Sequence, residues 1–127
     1  MGMIMSVDDQ RMVRSVIRGA AEMLGYDFIE AENGRIALDL LEKHHKEIDL
    51  VVLDINMPEM NGLECLDKIM TDARFKTIPV MMVTTESERH TIVNAIKTGA
   101  ANYVCKPFTQ EELTTKMAES LGHGLGM

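Results

Sequence analysis

The sequence has no tryptophan, two tyrosines and three phenylalanines among its 127 residues. A core this short of aromatics must be built from aliphatic side chains and from methionine, of which there are twelve. Methionine fills irregular gaps without strict shape demands. Met3/Met5 and Met81-Met82 lie in strand-like apolar runs, so packing accounts for them better than metal or cofactor ligation. Cysteine is scarce too. Cys65 and Cys105 have no metal-ligand spacing and read as two free, buried thiols of a reducing compartment. No apolar run approaches the ~20 residues that a membrane span requires. Met1-Gly2-Met3-Ile4-Met5 lacks the length and the basic start of a signal peptide, and beyond Met-Gly only Ser6 suits a myristoylation pattern. Positive charge is in deficit, with 13 Lys and Arg against 20 Asp and Glu and a net charge of −7. This argues against a nucleic-acid partner, which needs a basic face. It suits a protein that meets basic surfaces or binds a cation. Neither glycine-rich nucleotide motif, Gly-x-x-x-x-Gly-Lys or Gly-x-Gly-x-x-Gly, occurs.

What is present is an alternation. Met3 to Val7 is a short apolar run that ends on Asp8-Asp9. Arg11 to Leu24 follows with Val13, Ile17, Ala20 or Ala21 and Leu24 on one helical stripe, and Gly25 is placed to end it. Tyr26 to Ala31 reads as a strand. Asn33 is placed to cap a helix carrying Ile36/Ala37, Leu40 and Leu41 to a last turn at His44-His45. Positive charge there favours the helix dipole, and adjacent histidines on a helix point apart, which opposes a metal site. Leu50-Val51-Val52-Leu53 is apolar on both faces, as in a parallel strand, and runs into Asp54. A lone carboxylate is costly to bury, so Asp54 is expected at the exposed end of that strand. Met57-Pro58 then halts regular structure.

The second half repeats the pattern. Leu63, Leu66, Ile69 and Met70 stripe a helix, and 71–78 is a polar connector. Pro79 to Thr85 is a strand, with proline allowed at its first residue. Glu86 to Lys97, with Ile92, Ala95 and Ile96, is a helix closed by Gly99. Ala101 to Cys105 is a strand ending at Lys106-Pro107-Phe108. Gln110 to Leu121 is a helix with Leu113, Met117 and Leu121 inside, and 122–127 is expected to fray. Five strand–helix repeats without a linker predict one α/β domain over residues 1–127. It would be a doubly wound sheet of five parallel strands, with right-handed crossovers and five helices on both faces.

In such a sheet, ligands bind beyond the C-terminal ends of the strands. Those ends carry Asp8, Asp9, Asp54, Thr84 and Lys106. Three converging carboxylates repel one another unless a cation lies among them. Oxygen donors suit a hard ion, Mg²⁺ first, with positions left for water and phosphate oxygens. An ammonium and a hydroxyl would orient a phosphoryl group, and a free carboxylate oxygen would be its nucleophile.

Ser6-Val7-Asp8-Asp9, the run Asp54 to Gly62, Val83-Thr84-Thr85 and Lys106-Pro107-Phe108 resemble the response-regulator receiver domain, in order and in register over essentially the whole chain. The resemblance implies the flavodoxin-like (βα)5 fold with strand order 2-1-3-4-5. It implies that Asp54 is the phosphoacceptor. Mg²⁺, or Mn²⁺, would be held by Asp9, Asp54 and the Asn56 carbonyl, with Asp8 acting through water. Thr84 and Lys106 would contact the phosphoryl group. It further implies a cis bond before Pro107 and a switch pairing Thr84 with Tyr103. Asn56 and Glu86 match the CheY-like chemotaxis branch, where such positions tune dephosphorylation; the rival reading is two solvated loop residues. For Tyr103 the rival is a half-buried strand residue.

The implied protein is a cytoplasmic, monomeric, stand-alone phosphorylation switch. It would be no enzyme beyond its own phosphorylation and dephosphorylation. A CheA-like histidine kinase would donate to Asp54, a phosphatase would be a further partner, and the face of fourth helix, fifth strand and fifth helix would bind a flagellar motor switch protein. A phosphorelay intermediate, passing the group to a histidine phosphotransfer protein, is the second reading. An aspartyl-phosphate phosphohydrolase fits less well, because the acids at 8 and 9 are adjacent and the five repeats leave no room for a cap domain. Met5-Ser6, Gln10 and Ile55 depart from the usual pattern, and Met5-Ser6 would pack the first strand less tightly.

Overall fold

A computed structural model describes residues 2–122, apart from the side chain of Glu86. The chain alternates β1 (Met3–Val7), α1 (Arg11–Met23), β2 (Asp27–Ala31), α2 (Gly34–His44), β3 (Ile48–Asp54), α3 (Gly62–Met70), β4 (Val80–Thr85), α4 (Ile92–Thr98), β5 (Asn102–Lys106) and α5 (Gln110–Ser120). The strands form one parallel sheet in the order β2-β1-β3-β4-β5. This is the flavodoxin-like topology that the resemblance implied.

The sheet is buried on both sides at its centre, because consecutive residues of β1, β3 and β4 are apolar and face opposite cores. In β3, Val51 and Leu53 face a core shared with Ala37 and Leu41 of α2 and with Leu66 and Ile69 of α3. Leu50 and Val52 face the other core, with Ile17, Ala20 and Ala21 of α1 and Leu113 and Met117 of α5. All of Ile4 to Val7 is buried, and the Ser6 hydroxyl has no hydrogen-bond partner among the described residues. The expected looseness of the first strand is therefore one unpaired polar atom rather than an exposed strand. Among the described residues, no helix is long and apolar enough to cross a membrane.

Several boundaries differ from the sequence reading. β3 begins at Ile48 and β5 runs through Lys106, because partner strands carry their ladders that far. α3 buries Cys65 together with Leu66 and Ile69, and leaves Leu63 and Met70 at the margin. The connector 71–78 is not wholly polar. Phe75 and Ile78 plug into the core, while Arg74 ties Asp72 to Glu42 of α2. Cys105 is half-buried rather than buried. His44 meets Glu47, and His45 Nδ1 meets the Leu41 carbonyl oxygen, so the two imidazoles diverge.

The largest departure follows β4. Residues Glu86–Thr91 form a 3₁₀ helix, and α4 starts only at Ile92. Glu-Ser-Glu-Arg-His-Thr offers no apolar stripe to hold an α-helix on the sheet, and most helical stability comes from such a stripe. Local capping takes over instead. Glu88 Oε1 accepts from the Thr85 amide at 3.2 Å and from its hydroxyl at 3.0 Å. Residues 123–127, most of the expected frayed tail, lie outside the described residues.

Candidate functional site

Strand register brings the polar strand ends together. Val7 pairs with Leu53, Asp54 with Val83, and Thr85 with Lys106. Asp8, Asp9, Asp54, Thr84 and Lys106 thus share one edge of the sheet. Oxygens of Asp8, Asp9 and Asp54 all lie within 4.8 Å of one another. Lys106 Nζ is 3.4 Å from Asp8 Oδ2 and 3.6 Å from Asp54 Oδ1. A cavity of about 230 Å³ opens above them, lined by Asp9, Gln10, Asp54, Asn56, Thr85, Glu88 and Lys106.

Asp54 is not at an exposed strand end, as its charge suggested; it is only 3% exposed. The chain closes over it. The Ile55 amide donates to the Val83 carbonyl at 3.0 Å, and the Gly62 amide donates to the Ile55 carbonyl at 2.8 Å. Met57 is buried and Glu59 takes a left-handed turn at φ 66°. Burial pushes the Asp54 carboxyl up to about 7; the Asp8 carboxylate adds to this, and the Lys106 ammonium opposes it. The Asp8 carboxyl is also raised by burial, against the Gln10 amide and Lys106. Its Oδ1 accepts from that amide at 2.8 Å.

The set fits a hard divalent cation. Three carboxylates this close repel one another unless a cation lies among them, and Asp9, with Asn56, opens on the cavity from outside the core. Asp9 and Asn56 are exposed, whereas Asp8 is enclosed with both its oxygens hydrogen-bonded. Thr84 is brought near but not in. It is fully buried, its hydroxyl donates to the Thr85 carbonyl at 3.2 Å, and it does not line the cavity. The Lys106-Pro107 bond is cis. Tyr103 lies away from the acids. It is half-buried, with Lys116 Nζ 5.7 Å from its ring centre, in a groove of about 400 Å³ shared with Arg89, Cys105 and Glu112. Glu86 begins the 3₁₀ helix, and its side chain lies outside the described residues.

Sequence reasoning missed four participants. Gln10 registered only as a departure, yet its side-chain oxygen lies 3.5 Å from Lys106 Nζ. Thr85 and Glu88 read as strand end and helix surface, and both line the cavity. Arg14 lies off the apolar stripe of its helix and is not singled out, but it reaches the Asp8 carbonyl at 2.6 Å. A basic residue one turn into the helix that follows an acid pair, with Glu30 on the adjoining strand, was the available signal for Arg14.

Comparison with known proteins gives a consistent picture. The model of the response regulator receiver domain matches residues 4–118. The chemotaxis protein CheY homolog of Campylobacter jejuni is 40% identical over 124 residues, 97% of this chain and 95% of that protein. Chemotaxis protein CheY1 of Helicobacter pylori is 40% identical over 120 residues, 94% of this chain and 96% of that one. Among solved structures, chemotaxis response regulator CheY4 of Vibrio cholerae superposes with a TM-score of 0.86 at 28% identity, covering 94% of this chain and 98% of that chain.

Proposed function

The chain belongs to the response regulator receiver family, and on that premise we propose that it is a single-domain phosphorylation switch with Asp54 as the phosphoacceptor. The observation that carries this reading is the buried Asp54 carboxyl, raised to about 7, with Lys106 Nζ 3.6 Å away and two further carboxylates beside it. An Asp54 oxygen attacks the phosphorus of a phosphohistidine on a histidine kinase. The new P–O bond forms as the P–N bond breaks, and the imidazole leaves.

Asp9, Asp54 and the Asn56 carbonyl would hold Mg²⁺, and Asp8 would act through a water. The ion supplies positive charge that keeps Asp54 ionised and offsets the phosphoryl oxygens. Lys106 leaves Asp8 to pair with the phosphoryl group, and Thr84 turns its hydroxyl from the Thr85 carbonyl toward it. Tyr103 then follows into the space that Thr84 vacates. Asn56 and Glu86 tune the lifetime of the phosphoryl group. The protein has no substrate other than its own phosphodonor and its own phosphoryl group.

The groove beside Tyr103, between β5 and α5, supports a target on the α4-β5-α5 face. The names of the relatives favour chemotaxis; on that reading the donor is a CheA-like kinase, the target is a flagellar motor switch protein, and the place of action is the cytoplasm. Acetyl phosphate with Mg²⁺ tests the assignment. Wild-type protein should gain a phosphoryl group by intact-mass spectrometry and Asp54→Asn should gain none. Equal labelling of the variant would remove Asp54 from the role.

A further inference from the structure

Arg14 spends its guanidinium in an unusual way. It stands in the first turns of α1 with its side chain only 13% exposed. Nε donates to Glu30 Oε1 of β2 at 2.7 Å, and Nη1 donates to the backbone carbonyl of Asp8 at 2.6 Å. Arg18 holds the other oxygen of the same glutamate at 2.7 Å, but it is half exposed and has no bond to the acid loop. The Asp8 amide in turn donates to the Ala31 carbonyl of β2 at 3.1 Å. Both backbone groups of Asp8 are thereby tied toward β2, one directly and one through Arg14. The Asp9 carboxylate has no hydrogen-bond donor among the described residues, so the backbone before it sets where it points.

We propose that Arg14, anchored by Glu30, is a positioning residue that sets the divalent-cation affinity of the Asp8, Asp9 and Asp54 cluster by clamping the Asp8 carbonyl. The inference rests on the reading of that cluster as a cation site. Charge and position act with opposite signs here. Arg14 and Arg18 both hold Glu30, and deleting Arg14 removes one positive charge near the site while Arg18 still pairs the carboxylate. By Coulomb's law alone, that change attracts a cation more strongly. Loss of the clamp lets the loop that carries Asp9 relax, which weakens binding. Groups behind metal ligands commonly set affinity in this way. Arg18→Ala removes the same single positive charge from Glu30 without touching the clamp, which makes it the control.

The test is calorimetric titration of the full chain with MgCl₂ in phosphate-free buffer, with fold checked by circular dichroism and urea midpoint. Arg14→Ala should bind Mg²⁺ roughly tenfold more weakly than wild type, and Arg18→Ala as tightly or slightly more tightly. If Arg14→Ala does not fold, Arg14→Lys replaces it. Lysine keeps the charge but cannot bond Glu30 and Asp8 as a fork, so weaker binding is again expected. A folded Arg14 variant with wild-type or tighter affinity overturns the proposal, and so does an equal loss in Arg18→Ala. A wild-type chain that binds no Mg²⁺ overturns the cation-site reading itself, which the wild-type titration alone reveals.

Discussion

Asp54 holds a protonation state that its unfolded chain would not share. In the unfolded chain an aspartate ionises near pH 4, whereas in the folded protein burial and the Asp8 charge hold this carboxyl protonated up to about 7. Between those values the folded state binds the extra proton. Its contribution to stability is complete below about pH 4 and is lost as pH rises through about 7. Asp54→Asn removes this loss. At pH 8 without metal, the variant should exceed wild type by on the order of 2–4 kcal/mol in urea unfolding, and the gap should close near pH 4. A gap that stays constant with pH would mean that Asp54 is already ionised in the apo fold. Added Mg²⁺ should narrow the gap at pH 8, because the cation favours the ionised carboxylate. The residue's identity as a strand-end acid was legible from an apolar run ending in Asp. Its burial was not. Enclosure comes from Ile55, Met57 and Gly62 closing over it, and those contacts are made only once β4 and α3 are in place.

At the scale of elements, α3 starts where it does because Gly62 has no side chain. A Cβ at Gly62 would collide with the Asp54 carbonyl oxygen and the Ile55 Cα, both backbone atoms that cannot step aside cheaply. Asn61 and Glu64 close the helix start with reciprocal bonds of 2.9 and 3.0 Å. Two effects of Gly62→Ala therefore oppose each other. Alanine is about 1 kcal/mol better than glycine inside a helix, while a forced backbone shift in a packed site costs ~1–3 kcal/mol or more. The contact with two backbone atoms decides for the cost. Gly62→Ala should lower the urea midpoint and slow labelling of Asp54 by acetyl phosphate, since the displaced atoms belong to Asp54 itself. A more stable variant with unchanged labelling would show that the helix start is free of β3.

The elements that sequence reading placed well share a trait. The core of α1 and the Asn33 and Gln110 helix starts depend on periodicity or local caps, and both are written in neighbouring residues. The segment from Glu86 shows the converse. Its helix-friendly residues suggested a helix from 86, but without an apolar stripe before Ile92 the capping of Thr85 by Glu88 prevails. The sequence reading ends the fifth strand at Cys105 and puts Lys106 just past it. The ladder to Thr85 extends β5 by that residue and so aims its ammonium at Asp8 and Asp54.

For the whole molecule, stability is distributed unevenly around the acid edge. α1 and α5 share a closed core with the sheet, and α2 and α3 close most of the other. α4 buries only Ile92 and Ala95, and leaves Val93 58% and Ile96 45% exposed. The 3₁₀ helix before it is held by polar bonds at the rim of the acid cavity, and β5 carries both Lys106 and Tyr103. This sparsely buried segment is thus joined to the site through β4 and adjoins the groove beside Tyr103. Segments with few buried contacts open at the lowest free energy, and ligands bias such openings by differential contact. Beryllofluoride with Mg²⁺, as a phosphoryl mimic on Asp54, should draw Lys106 and Thr84 inward and restrain the start of this segment. In hydrogen exchange, amides within 86–98 should be the fastest of any helical segment in the free protein and slow by roughly tenfold with the mimic. Lys106→Ala should still bind the mimic but lose most of that slowing, because in the proposed switch the ammonium links the phosphoryl oxygens to β5. Equal slowing in the variant would assign the coupling to Thr84 and β4 alone. No slowing in the wild type would confine the response to the acid edge and remove α4 from the switch.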